Sequence, residues 1–217
     1  ISTRNFEKSD RMIWVSNLTD SLFVATGVFP TGKRFKVFNW TGDIHTYTGE
    51  YPLEEETDLP FYVIGASFMS ITASHPVSNR MAVGTQYGGV LDIMEWNTTD
   101  NSLSRVGGIS QHTPKVTSKN IQGTPNFRPN EKTRWGYVRM DSDSDYIYGL
   151  YSGRFQQDGI PFYKGNIVHV VDWDGVPVCQ IKLDKDVLDI AVAGNKLYAL
   201  YEDADIGYEV IEYVLPD

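Results

Sequence analysis

"HVVDWDGVPVCQIKLD", residues 169–184, sets Asp172, Asp174 and Asp184 around a tryptophan and a glycine. Such a cluster could hold a metal ion, supply half of an acid/base pair, or close a β-hairpin. Asp174 and Gly175 divide two alternating apolar runs, and Asp-Gly is a favoured pair for a two-residue type I′ turn, because both of its positions need positive φ. The stretch is therefore expected to be a hairpin in which the Asp174 carboxylate serves the turn.

Recurrence supports that reading. Asn39-Trp40-Thr41-Gly42 stands in the same relation to its flanking runs in "RFKVFNWTGDIHTY", residues 34–47, and "LDIMEWNTTDNSLSRV", residues 91–106, repeats it with Glu95-Trp96 and a longer loop. Near the end, "YEVIEYVLPD" offers Glu212-Tyr213. An acid or amide followed by an aromatic thus ends a strand four times, and the carboxylate of one copy becomes an amide in another.

A second anchor precedes each pair. "DSLFVATG", "NRMAVGTQ", "DYIYGLYSG" and "NKLYALYED" each place a polar turn before an apolar strand, with Leu22, Met81, Ile147 and Leu197 in equivalent positions, 59, 66 and 50 residues apart. Before each lies another short strand: "RMIWVSN", "FMSITAS", "YVRMDSD" or "VLDIAVA". With an outer strand such as "IHTYTGEY" or "VPVCQIKL", each unit has four strands. Self-similarity at this period with four strands per unit is the mark of a β-propeller, whereas a sandwich needs no repeated internal order. The blades are expected at about 6–53, 61–110, 135–184 and 186–217. The last unit stops after its third strand, so the chain is expected to be the C-terminal part of a longer propeller; the alternative is a four-bladed ring closed by "STRNFEK", residues 2–8.

Composition agrees with an all-β domain. Of 217 residues 41% are hydrophobic and 22% charged, enough for a sizeable core. Thirteen Tyr, ten Phe and five Trp, interrupted by nineteen Gly, favour short strands and turns. "PLEEETDLPFYVIGASF", residues 52–68, is the best helical candidate, yet Pro52 and Pro60 bracket an acidic patch expected to be a solvated loop. The net charge of -9 argues against nucleic acid or an anionic membrane surface as partner. No apolar run approaches the roughly 20 residues of a membrane helix. Cys179, the single cysteine, falls in an apolar alternation and is expected to be a small buried core filler.

Chemistry is sparse. His45, His75, His112 and His169 show no metal-motif spacing, and His169, in phase with Ile167, Val171 and Trp173, is expected half-buried between blades. No cofactor is expected. Asp141, Asp143 and Asp145 alternate as Ca²⁺ ligands could, though without the glycine and distal glutamate of a calcium loop; a solvated turn is the competing reading. The innermost strands would bring Asn17, Ser74, Arg139 and Asp189 to a central channel. From Ile147 to Trp173 is 26 positions, against 18, 15 and 16 in the other units, so residues 151–166 form a long loop. Its Arg154, Phe155, Phe162, Tyr163 and Lys164 could form an aromatic and cationic lip for a sugar or peptide, or pack on the neighbouring blade. "TPKVTSKNIQGTPNFRPNEKTRW", residues 113–135, reads as an extended connection without chemistry of its own.

"DYIYGLYSGR", "NIVHVVDWDGVPVCQIKLD" and "NKLYALYEDADIGYEVIEYVLPD" together resemble the TolB-like six-bladed propeller proteins of Bacteroidetes, most densely from Tyr137 to Asp217. The resemblance implies six blades and export to the bacterial envelope, often as a lipoprotein, and it implies a fold more strongly than an activity. The expected role is a non-catalytic binding or scaffold propeller that contacts a protein or glycan through one loop face. The alternative is a propeller enzyme, a polysaccharide lyase or hydrolase with polar residues at the central channel.

Overall fold

The computed structural model describes residues 10–54, 57–115, 117–158, 161, 163–203, 205 and 207–215. The first sheet is antiparallel, in the order β1 (Arg11–Asn17), β2 (Leu22–Val28), β3 (Phe35–Asn39) and β4 (Ile44–Thr48). The second repeats the pattern with β5 (Ser70–Ser74), β6 (Arg80–Thr85), β7 (Val90–Asn97) and β8 (Ser102–Ser110). Next come a two-stranded hairpin, β9 (Ser118–Ile121) with β10 (Thr124–Phe127), and a curled six-stranded sheet. The latter runs β11 (Tyr137–Ser142), β12 (Tyr146–Tyr151), β13 (Gly165–Asp172), β14 (Pro177–Ala193), β15 (Lys196–Asp203) and β16 (Gly207–Val214). β14 is long because no glycine or proline interrupts it after Pro177. Its first half pairs with β13 as an outer strand, and its second half pairs with β15 as an inner one. β1, β5, β11 and the second half of β14 are neighbours along one arc, which makes the chain a β-propeller in architecture. β16 is an edge of its sheet; "STRNFEK" lies outside the described residues.

The cores lie between successive sheets. Leu18, Val24, Phe35 and Val37 of the first sheet meet Met81, Val83, Met94 and Trp96 of the second. Ile71, Leu91 and Ile93 of the second meet Tyr137, Ile147, Val171 and Trp173. Val138, Leu150 and Val168 meet Val187, Ile190 and Leu197, with Tyr213 against the rim. Trp96 and Trp173 of the recurrent pairs therefore pack toward the preceding sheet. Trp96 is 1% exposed and Trp173 6%, whereas Trp40, which no described sheet precedes, is 72% exposed. Trp40 meets Phe23 edge-on at 4.3 Å and, with Met12, Val15 and Phe38, lines an apolar hollow of about 250 Å³ on the outer face of the first sheet.

Turn chemistry differs from the sequence expectation in one instructive way. Asp174 does not take positive φ; Gly175 alone does, at 84°, and the amide of Asp172 donates to the carbonyl of Val176 at 3.0 Å. The loop is therefore the three residues Trp173 to Gly175, because the Asp172 carboxylate accepts from the amides of Asp174 (3.0 Å) and Val176 (2.8 Å) and stabilises the wider turn. Asn39 does the same for Thr41 and Asp43, with Gly42 at φ 81°. The two-residue turn with both φ positive occurs at Gln122-Gly123, in the hairpin β9–β10. A Cβ on Gly175 would lie 2.1 Å from the amide nitrogen of Gly108. Gly175→Ala is expected to lower the unfolding free energy by about 2 kcal/mol or more through left-handed strain and this clash, read by urea unfolding.

Two further expectations are corrected. Within residues 52–68 a helix, α1 (Phe61–Ser67), follows Pro60, whose φ of -58° suits a helix start. It forms in the apolar half of the stretch, burying Val63, Gly65 and Ser67, beyond the acids that drew the loop reading. Cys179 is exposed, because it sits in the outer half of β14, where Val178 and Gln180 are exposed as well.

Candidate functional site

The short turns joining β1 to β2 and β5 to β6 lie side by side on one face. They enclose a groove of about 660 Å³ whose lining includes Thr19, Asp20, Trp40, His75, Ser78 and Asn79. Both turns are braced from within. Thr19 Oγ1 accepts from the amides of Ser21 (3.3 Å) and Leu22 (3.1 Å), and the Trp40 indole N–H donates to the carbonyl of Asp20 at 3.0 Å. His75 Nδ1 accepts from the amides of Val77 and Ser78, both at 3.1 Å, which places its proton on Nε2 as a donor. The His75 ring packs at a tilt against Trp173, centroids 4.7 Å apart. Asn79 donates through Nδ2 to the carbonyl of Trp96. The groove thus presents hydroxyl, carboxylate, imidazole and indole groups on turns already ordered before any ligand arrives.

Behind the groove, side chains pin neighbouring inner strands to one another. Ser16 and Thr72 hydroxyls meet, Ser74 donates to the Asn17 carbonyl, and Ser142 donates to the Ser74 carbonyl at 2.9 Å. Arg139 Nε faces Asp189 Oδ2 at 3.4 Å, and its guanidinium lies 5.5 Å from the Trp14 ring. Asn17 thus meets Ser74 through its carbonyl and Arg139 faces Asp189, each contact bridging adjacent inner strands.

A family model described as TolB-like 6-blade propeller-like matches residues 2–195 of this arc of antiparallel units. The chain belongs to that family. Among solved structures this TolB-like propeller is similar to BamB from Moraxella catarrhalis, at 13% identity and TM-score 0.43, over 90% of this chain and 42% of that one. It is also similar to a luciferin-regenerating enzyme, at 9% identity and TM-score 0.47, over 96% of this chain and 62% of that one. The chain spans less than two thirds of either protein. No curated protein matches it in sequence.

On the opposite face of the TolB-like propeller lies the long loop after β12. Arg154 pairs with Asp186 and donates to the Lys164 carbonyl at 3.2 Å, and Lys164 pairs with Glu202 at 2.8 Å. These two cations fasten the loop to β14 and β15 rather than forming a free lip. Phe155 lies 4.3 Å beneath the Arg134 guanidinium, Tyr163 is exposed, and Phe162 lies outside the described residues. The acidic triplet also serves structure. Asp141 accepts from the amide of Val192 at 2.7 Å, while Asp143 accepts from the amides of Asp145 (2.8 Å) and Tyr146 (2.7 Å) and from the Tyr148 hydroxyl (3.0 Å). Among the described residues no group of three or more His, Cys, Asp or Glu side chains is placed to hold a metal. His169 is more buried than its strand phase implies, at 6% exposure, with Nδ1 3.0 Å from the Tyr137 hydroxyl. Burial pushes its imidazole below the usual histidine range, and the ring packs against Tyr137 and Tyr151.

Sequence reasoning singled out Asn17 and Ser74 but missed Thr19, Asp20, His75, Ser78 and Asn79 as groove residues. Their signal was present: the polar turns in "NLTDSLF" and "SHPVSNRM" recur at a fixed place in the repeat, so they share one face.

Proposed function

We propose that this chain is a non-catalytic binding propeller of a bacterial cell envelope, its units at about 6–53, 61–110, 135–184 and 186–217 forming blades of one domain, and that it holds a neutral glycan in the groove between its first two inner turns. The observation that carries the reading is the groove itself: about 660 Å³, within the range of small-molecule sites, with Asp20, Asn79, Ser78 and His75 for sugar hydroxyls and the Trp40 ring at its side. Asp20 is the one carboxylate among the described lining residues, and cleavage of a glycosidic bond by acid/base chemistry uses a pair. Binding is therefore favoured over hydrolysis.

Asp20 is exposed and its side chain braces neither turn, so Asp20→Ala tests the groove without disturbing the fold. Titration calorimetry against a panel of neutral oligosaccharides should find one class that binds, with affinity about tenfold weaker for Asp20→Ala, the loss expected for a hydrogen bond to a charged group. Unchanged affinity in that variant would move the glycan elsewhere; a panel without any binder would refute the glycan assignment.

A further inference from the structure

We propose that the opposite, long-loop face carries a second pocket, for an oligosaccharide bearing carboxylates, of the hexuronate type. A hollow of about 500 Å³ opens there between the β6–β7 loop, the segment after β8, the segment before β11 and the loop after β12. His112, Lys115, Lys132 and Arg134 line it, together with the rings of Tyr87 and Phe155. Its walls are fixed by the backbone. The amide of Gly88 donates to the Arg134 carbonyl at 2.8 Å, that of Gln156 to Thr133 at 2.9 Å, and that of Trp135 to Arg154 at 2.8 Å. Gly88 has φ 76°, and a Cβ there would lie 2.2 Å from the His112 carbonyl, so the close approach of these loops requires glycine.

The charge distribution points to an anion. In a chain of net charge -9, nine lysines and arginines pair with carboxylates among the described residues, Arg80, Arg105, Arg154 and Lys164 being four of them. Lys115, Lys132 and Arg134 have no such partner among the described residues. The acids near them in sequence do not line the hollow: Glu131 is outside it, and Asp158 turns its Oδ2 to the amide of Phe155 at 2.8 Å. Three cations gathered without carboxylate partners among the described residues repel one another, and a bound carboxylate relieves that repulsion.

The rest of the pocket narrows the anion's chemistry. Arg134 spends Nη1 on the Gly153 carbonyl at 2.8 Å, and a guanidinium has further donors in the planar fork that fits a carboxylate. The rings of Tyr87 and Phe155 line the hollow, Tyr87 packed on Phe127 and Trp135 and Phe155 under the Arg134 guanidinium, and give it an apolar side for the C–H surface of a pyranose. A nucleic acid needs a basic track longer than one hollow, and the overall charge opposes it.

Lys115 and Lys132 are exposed and have no carboxylate partner among the described residues, so the double variant Lys115→Glu/Lys132→Glu leaves the fold standing, as an unchanged melting temperature will show. The experiment is titration of the full chain with tetragalacturonate and with maltotetraose as the neutral chain of equal length. The expected result is galacturonate binding that weakens with rising salt, falls about tenfold or more in the double variant, and is untouched by Asp20→Ala, which separates this pocket from the groove. Equal affinity for the neutral chain, or full galacturonate affinity in the double variant, overturns the pocket. Tripolyphosphate bound as tightly as galacturonate overturns the sugar assignment, since charge alone would then account for the site.

Discussion

Replacing Trp96 or Trp173 with alanine is expected to lower the unfolding free energy by about 3–5 kcal/mol each, the cost of emptying a buried tryptophan site, whereas Trp40→Ala should change it by about 1 kcal/mol or less. The three residues hold the same place in the repeat, so composition and local strand propensity are matched, and what differs is cover. Trp96 packs among Leu18, Val24, Met81 and Met94 at the first interface between sheets. Trp173 packs among Ile71, Ala73 and Tyr137 at the second, with its indole N–H donating to the Asp143 carbonyl at 3.0 Å. Trp40 has Phe23 beside it, the Asp20 carbonyl as acceptor and solvent over most of its ring. The indole N–H of Trp96 is buried and has no partner among the described residues, so Trp96→Phe removes an unsatisfied donor and should cost less than Trp173→Phe, which leaves the Asp143 carbonyl unpaired. Urea unfolding of the five variants checks the order. A loss for Trp40→Ala equal to that for Trp96→Ala would show that the repeat position, not the preceding sheet, sets the energetics.

That comparison also shows what was legible in the sequence. The recurrence of an acid or amide before an aromatic is a local signal, and it gave strand ends, sheet order and architecture, because each unit repeats one supersecondary pattern. The anchors Leu22, Met81, Ile147 and Leu197 fall at the starts of β2, β6, β12 and β15 as the spacing predicts. Less legible was anything decided by a third party. Asp172 widens its own turn by accepting two amides, so Asp-Gly did not become a two-residue turn. The acids of residues 52–58 hid a helix whose driving force is the burial of Val63 against the rest of the fold. Cys179 alternates with apolar neighbours, yet from Pro177 to Gln180 both faces of β14 are exposed.

The sites follow the same division. Long-range pairing consumed Arg154 and Lys164, whose partners Asp186 and Glu202 are more than thirty residues away, and sequence spacing carries no sign of it. Residues 113–135 read as a plain connection, but they fold into the hairpin β9–β10 and supply the cations of the long-loop hollow. Asn17 and Ser74 fall on β1 and β5, while their use as pins between strands depends on which sheets become neighbours.

Removing the carboxylate of Asp92 is expected to lower the unfolding free energy by about 3–5 kcal/mol for Asp92→Ala. Asp92 is 1% exposed in β7 and accepts from Arg34 Nη1 at 2.6 Å and from Arg105 Nε at 2.7 Å. Arg34, 3% exposed in the loop between β2 and β3, reaches across from the first sheet, so the pair joins two sheets without water. Its Nε and Nη2 have no partner among the described residues, which leaves Asp92 as the group that compensates the buried charge. Without it the guanidinium is stranded in a poor solvent for ions, and that penalty dominates any hydrogen bond lost. Arg105 is half-exposed, so Arg105→Ala should cost about 1 kcal/mol or less. The decisive variant is the double replacement Arg34→Met/Asp92→Leu, which removes both charges and fills the space: it should recover most of the stability lost in Asp92→Ala, as buried pairs exchanged for apolar residues generally do. If the double variant is as unstable as the single one in urea unfolding, the pair holds the two sheets by directional bonding rather than by mutual neutralisation, and the desolvation account of Asp92 is wrong.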